Sequence, residues 1–354
     1  DALPISKEAV MRNLKKKVVV FATAASLAVV SMTGCASFEN ADTVATVGGD
    51  KIPAGVANFY ARYQQGMIET NLGSMLGDNM WTQEVSEGKT YEDNVKDSVM
   101  DALQQMYILE DHMAEYEVAL TDEEKSAIQE ATKKFDEGNG LEAKELVSGE
   151  TEYVERVLTL LTIQKKMTDA VTKDVSTEVS DEEAAQKSMQ YVSFPYTTTD
   201  EEGNSKTLTD EEKAALKETA AAFLEGAKAA EDFAAYATEQ GKEAQTATFD
   251  SESTSPAAEL IAAADSLGVG GFTDVIETEN GLYVAKVTSL LDRDATDAKK
   301  ETIVNSRKSE KFNEVYDGWK KDTKIKVNKD VWAKVDFQDV GVTVKQNEEE
   351  PYTE

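Results

Sequence analysis

The chain has 354 residues, 40% of them hydrophobic and 30% charged, which suits two or three packed domains and excludes a polytopic membrane protein. Acidic residues outnumber basic ones 68 to 37, and a net charge of -31 excludes a general nucleic-acid binder, which needs clustered lysine and arginine against phosphate. One cysteine excludes an internal disulfide, and one histidine excludes metal sites and mechanisms built on two imidazoles.

In chain order, Asp1–Val10 precede a start at Met11 and read as non-native or upstream residues, set aside from the fold. Arg12 and Lys15, Lys16 and Lys17 are a basic stretch, and Val18–Met32 is an uncharged, mostly apolar run. It falls short of the about 20 residues of a transmembrane helix and has the layout of a secretory signal. Ser31-Met32-Thr33-Gly34-Cys35 resembles a bacterial lipobox, so residues 11–35 read as a lipoprotein signal peptide. The resemblance implies cleavage before Cys35 and a diacylglycerol on its sulfur. The other reading is a structural cysteine in an uncleaved apolar segment. Acyl chains contribute about 0.8 kcal/mol per buried CH₂, so two or three would hold the protein on a membrane. Residues 36–42 are small and polar, a short tether.

Val44–Ile52 reads as a hairpin around Gly48-Gly49-Asp50, where glycine supplies positive φ. Helices are expected over Pro53–Met75 and Tyr91–Tyr116, the second from the 3/4 spacing of Val95, Val99, Leu103, Met106 and Met113. Leu120-Thr121-Asp122-Glu123-Glu124 starts another with an acidic first turn. Glu152–Val171 is a further helix, and Val179–Glu183 repeats the cap pattern. Residues 43–180 therefore form a mainly helical module closed by one hairpin.

From Ser188 the pattern changes. Met189–Tyr196 is a strand rich in Tyr, Val and Phe, and Thr197–Thr209 a polar loop. Asp210–Gly226 and Ala229–Gln240 are Ala-rich helices, Gln245–Phe249 a strand, and Pro256–Ser266 a helix ending at Gly268. Phe272–Glu277 and Leu282–Val287 are strands around Thr278-Glu279-Asn280-Gly281. Residues 188–290 thus make a small, mostly antiparallel sheet with flanking helices, and the fold class is α+β. Thr296–Asp317 is helical, Lys324–Val327 extended and Val331–Val335 a turn or short helix. Residues 346–354 read as a disordered acidic tail.

Three of these stretches resemble one family. Val44–Ile52 is similar to the V-A-x-V-N-G-x-x-I start of extracytoplasmic foldases of the PrsA and SurA type. Leu260–Val287 is similar to the second half of a parvulin (PpiC-type peptidyl-prolyl isomerase) domain, in which a helix ending A-L-x-x-G-E-x-S precedes P-V-x-T-x-x-G-Y-H-I-I-K-V. Ile325-Lys326-Val327 resembles the segment by which the C-terminal chain, residues 296–337, rejoins the N-terminal module. The resemblance implies a membrane-anchored chaperone outside the cell, binding unfolded or secreted polypeptides, including X-Pro segments, without a cofactor or metal.

The sequence departs from that family at its two histidines. Tyr191 takes one place and Tyr283 the other. Phe249 falls where the family has an aromatic closing a loop, Leu260 where it has a pocket aromatic, and Asn280 where it often has a small polar residue. No residue is assigned to the family's Cys or Asp place. His112 lies on the N-terminal module and reads as a helix-surface or interface residue. Two tyrosines can hydrogen-bond across a sheet, since each hydroxyl donates and accepts, and they can equally be ordinary strand residues. Isomerisation of an X–Pro bond needs no nucleophile, only a site that favours the twisted amide. The expectations are a foldase or holdase with a degenerate parvulin-like domain, alternatively an active proline isomerase. A solute-binding lipoprotein is disfavoured because repeated βαβ lobes are missing. For the first, Phe59, Tyr60, Tyr63, Met67 and Trp81 are candidates for a client surface and equally for ordinary helix-bundle core.

Overall fold

The computed structural model describes residues 27–31, 39–77, 79–199, 203 and 205–344. Residues 32–38 with Cys35, residues 1–10, the leader apart from residues 27–31, and the 346–354 tail lie outside the described residues. The chain divides into two compact units, residues 1–174 with 310–354, and residues 175–309. The fold is α+β, a mainly helical unit and a unit built on a small antiparallel sheet.

The first unit opens with β1 (Leu27–Ser31), followed by the hairpin of β2 (Thr43–Val47) and β3 (Asp50–Pro53). Gly48 turns it at φ +65°, a conformation that glycine adopts without strain. Val44, Val47 and Ile52 point inward and are buried. Pro53, already extended, leads into α1 (Ala54–Leu76), whose first half is buried on every side. A small hairpin, β4 (Glu84–Ser86) and β5 (Lys89–Thr90), ends at Thr90, which caps α2 (Tyr91–Asp111) in a reciprocal box with Asp93. The spacing predicted one helix through Tyr116. The structure ends it at Asp111, with His112 as the cap and a 3₁₀ turn over Met113–Tyr116, closed by Glu117 at φ +53°.

Thr121 and Glu124 form the same box at the start of α3 (Asp122–Gly138). Then come α4 (Leu141–Val147), absent from the sequence reading, and α5 (Thr151–Val171). Leu103, Met106 and Ile108 of α2 pack with Phe135, Leu160 and Ile52 in one core. Phe59, Tyr60 and Trp81 belong to that core, at 5%, 7% and 6% exposure, so all three are packed against the unit's own residues. Phe59 meets Phe135 edge-on at 5.2 Å.

The second unit starts with a single helical turn, α6 (Asp181–Ala184), and continues through β6 (Lys187–Pro195). The expected polar loop contains a short hairpin, β7 (Thr197–Thr199) with β8 (Ser205–Thr207). There follow α7 (Asp210–Ala229), α8 (Phe233–Glu239), β9 (Gln245–Phe249) and α9 (Ala258–Asp265). The strand expected over Phe272–Glu277 shortens to β10 (Ile276–Glu277), with a lone bridge from Phe272 to Lys286. With β11 (Gly281–Ser289) the sheet order is β10-β11-β6-β9, every pair antiparallel.

The long α10 (Arg293–Asp322) supplies residues to both units. Beyond it β12 (Ile325–Val327) joins β2, giving a three-stranded sheet β12-β2-β3 in the first unit. After α11 (Lys329–Trp332), the chain ends its described course as β13 (Val340–Val344), antiparallel to β1.

Candidate functional site

Side chains alternate across β6 and β11, and this gives the sheet of the second unit two different faces. Val192, Phe194, Leu282 and Val284 face α7 and α8 and pack on Phe223, Leu224 and Phe233. Met189, Tyr191, Tyr283, Ala285 and Val287 share the other face, against Leu260, Ile261 and Ala264 of α9.

The register pairs Tyr191 with Ala285 and Tyr283 with Ser193, so the two tyrosines are diagonal neighbours on adjacent strands. Their ring centroids are 6.1 Å apart and their planes tilted by 51°. Both side chains are partly buried. Burial, and then the neighbouring Tyr283, push the Tyr191 phenol up from its ordinary value, so it stays neutral and able to donate at pH 7. Such a pair offers hydrogen-bonding hydroxyls and flat apolar rings.

Around the pair, the sequence candidates separate. Phe249 and Leu260 belong to the same cluster but are fully buried, which makes them the packed base of this face. Asn280 is exposed in the β10–β11 turn, where its carbonyl accepts the Tyr196 amide at 2.9 Å. The next residue, Gly281, runs so close to β6 that a Cβ would fall 2.5 Å from the Phe194 carbonyl oxygen. Only glycine fits there. Tyr196 donates to Glu277 at 2.9 Å, and Lys217 reaches the same carboxylate at 2.7 Å. Hydrogen bonds from Lys217 and Tyr196 hold Glu277 below its ordinary value. Sequence reasoning missed this carboxylate, whose Glu277-Thr278-Glu279 context looks like any solvated turn.

His112 is in the first unit, stacked on Trp319 at 4.3 Å and 9°, with Nδ1 2.6 Å from Glu115. It therefore takes no part in the tyrosine face. The first unit also has an open cavity of about 420 Å³ beside Tyr107, Tyr153 and Arg156. Its guanidinium is already held by both oxygens of Glu110, at 2.6 and 2.5 Å. Among the described residues, no group of three or more His, Cys, Asp or Glu could hold a metal ion, and no helix is long and apolar enough to cross a membrane.

Residues 190–300 match the PPIC-type PPIASE domain family and residues 9–145 the SurA-like N-terminal domain family. The chain combines a SurA-like N-terminal domain with a PPIC-type, parvulin-class domain. No curated protein matches it. Among solved structures it is similar to the foldase protein PrsA of Streptococcus pneumoniae at 20% identity, covering 73% of this chain and 99% of that one, with a TM-score of 0.31. The foldase protein PrsA of Lactococcus lactis is 16% identical over 83% of this chain and 97% of that one, with a TM-score of 0.32. The peptidylprolyl isomerase PrsA of Bacillus anthracis is 17% identical over 62% and 96%, with a TM-score of 0.27. Likenesses at these scores say nothing of how this chain works.

Proposed function

We propose that this protein is a foldase that works outside the cell, held on the membrane by lipid on Cys35, and that it binds unfolded or secreted polypeptides more than it catalyses their isomerisation. The pairing of a SurA-like N-terminal domain with a PPIC-type domain supports the polypeptide-binding part. The observation that carries the weighting is the tyrosine face. Tyr191 and Tyr283 stand at the places that resemble the family's histidines, and the would-be pocket residues Phe249 and Leu260 are packed shut. An isomerase must bind the twisted amide better than either planar form, and a filled base leaves little for a proline ring to enter. Asn280, exposed at the rim, stays a candidate for contact with a peptide main chain. Beyond Cys35 the body is strongly acidic, so it would stand off an anionic membrane surface.

The second reading, an active proline isomerase, keeps the same face and lets the phenols replace the imidazoles as hydrogen-bonding groups. One experiment separates the two: proline-limited refolding of a test protein, run beside suppression of its aggregation, with Tyr191→Phe and Tyr283→Phe as controls. The foldase reading expects suppressed aggregation and an unchanged slow phase. A slow phase shortened by the wild type and not by the phenylalanine variants would favour the isomerase. Neither activity above that of an inert acidic protein would defeat both. Lipidation is tested by mass spectrometry of the membrane fraction, where Cys35→Ala should release the protein.

A further inference from the structure

The segment Val335–Val344 is held in the first unit in an unusual way. Helix and strand partners normally satisfy main-chain groups with other main-chain groups, and side chains supply the minority. Here two helices reach the segment's backbone with their side chains. From α2, Lys96 donates to the Val335 carbonyl and Glu92 accepts the Phe337 amide at 2.9 Å. From α1, Arg62 donates to the Asp336 carbonyl at 2.9 Å and Gln65 to the Phe337 carbonyl at 3.0 Å. Further along, Glu69 accepts the Val342 amide at 2.7 Å and Thr70 the Val344 amide at 2.8 Å.

These contacts read a peptide backbone and no particular sequence. The groups that make them are fixed in advance. Arg62, Gln65 and Glu92 are buried, and Glu69 is oriented by hydrogen bonds from Gln65 at 2.7 Å and the Trp81 indole at 2.9 Å. Two side chains anchor the segment. Phe337 sits edge-on to Trp81 at 4.9 Å with Arg62 at 5.8 Å from its ring, and Val342 is fully buried.

We infer that the α1–α2 groove is a main-chain-reading polypeptide site and that Val335–Val344 is its resident occupant, displaced by a client. The client is an extended, non-native stretch of about ten residues, with an aromatic side chain for the Trp81 pocket and an aliphatic one five positions later. This deepens the polypeptide-binding reading above and names where the chain is held. Six side-chain bonds and one aromatic pocket are what sequence-tolerant capture requires, and the resident segment displays the bound geometry. A groove filled by its own chain binds in trans with an affinity reduced by the fraction of time it is empty.

The test uses the full chain and a fluorescent decapeptide copying residues 335–344, read by anisotropy, with hydrogen exchange on the same samples. Wild type should bind the peptide weakly. Phe337→Ala should speed exchange at 335–344, leave α1 protected, and strengthen peptide binding by about tenfold or more. Adding Glu69→Leu should remove that gain. A released segment without tighter peptide binding would overturn the inference. So would a segment that stays as protected as α1 in both Phe337→Ala and the Phe337→Ala, Val342→Ala double variant, since it would then be ordinary core. Aggregation suppression is scored separately. Its absence alongside peptide capture would sink the foldase reading and leave the groove, and the reverse result would sink the groove alone.

Discussion

The two units bury different things. The sheet unit seals apolar residues on both faces of β6 and β11, and its buried polar groups are few and uncharged: Gln186, Ser188, Thr273 and Thr296. The helical unit buries Asn58, Arg62, Gln65, Glu92, Gln104, Thr132, Ser148 and Thr172, and directs three of these, Arg62, Gln65 and Glu92, at the backbone of a segment more than 200 residues away in sequence. A buried polar group costs free energy unless it is partnered. The helical unit therefore depends on its C-terminal segment, whereas the sheet unit depends mainly on fit.

That contrast can be broken most sharply at Arg62. Burial lowers the guanidinium to about 10, partly offset by Asp339 and Glu92, so it remains charged at neutrality. Arg62→Ala would take the donor from Asn58 Oδ1, Gln65 Oε1 and the Asp336 carbonyl and a positive charge from beside Glu92, and should destabilise the first unit by about 3–5 kcal/mol. Trp81, Trp319 and Trp332 all lie in that unit, so tryptophan fluorescence during urea unfolding reports it alone. An Arg62→Ala curve that overlays the wild type would remove the claimed dependence.

The matching test in the sheet unit is Asp250. Burial works to raise its carboxyl, but Lys299 at 2.8 Å, Gln186 at 2.7 Å and the Ser253 hydroxyl at 2.9 Å hold it well below the usual carboxylate range. Its folded value is thus below its unfolded one. The stabilisation is complete above about pH 4 and is lost as the pH falls towards the folded value. Asp250→Asn should cost about 1–3 kcal/mol at pH 7, and its deficit against wild type should shrink below about pH 4. Circular dichroism follows this unit while tryptophan fluorescence stays silent. A deficit independent of pH would mean that packing, not charge, carries the effect.

How much of this could be read in advance follows the same division. Local chemistry was legible in the Gly48 turn and the Thr121–Glu124 box, while the nearness of Tyr191 to Tyr283 was implied only by the family resemblance. Nonlocal chemistry was not. Val340-Gly341-Val342-Thr343-Val344 alternates like a strand, yet its partners are Glu69, Thr70 and β1, which no window of neighbouring residues can show. The apolar spacing of α2 runs on past Asp111, so periodicity alone carried the helix to Tyr116. The structure breaks it where His112 lies flat on Trp319. At the candidate site the resemblance implied the pairing. It could not show that the base is full, because Phe249 and Leu260 look alike whether they line a pocket or fill one.

The same reasoning sets the two smallest effects. His112→Ala removes an aromatic stack in the helical unit and should cost about 1 kcal/mol, with altered Trp319 emission as the local readout. The double variant Tyr191→Phe, Tyr283→Phe keeps both rings and removes two hydroxyls. Among the described residues neither hydroxyl has a hydrogen-bond partner, so stability should stay within about 0.5 kcal/mol of wild type. This small number is informative because it separates stability from function. If the phenols act on a bound X–Pro segment, the variant folds as well as wild type and loses any acceleration of proline-limited refolding. If the face only packs, neither quantity changes, and polypeptide capture belongs to the helical unit. A loss of more than about 1 kcal/mol would contradict both, by showing that the hydroxyls hold the sheet together.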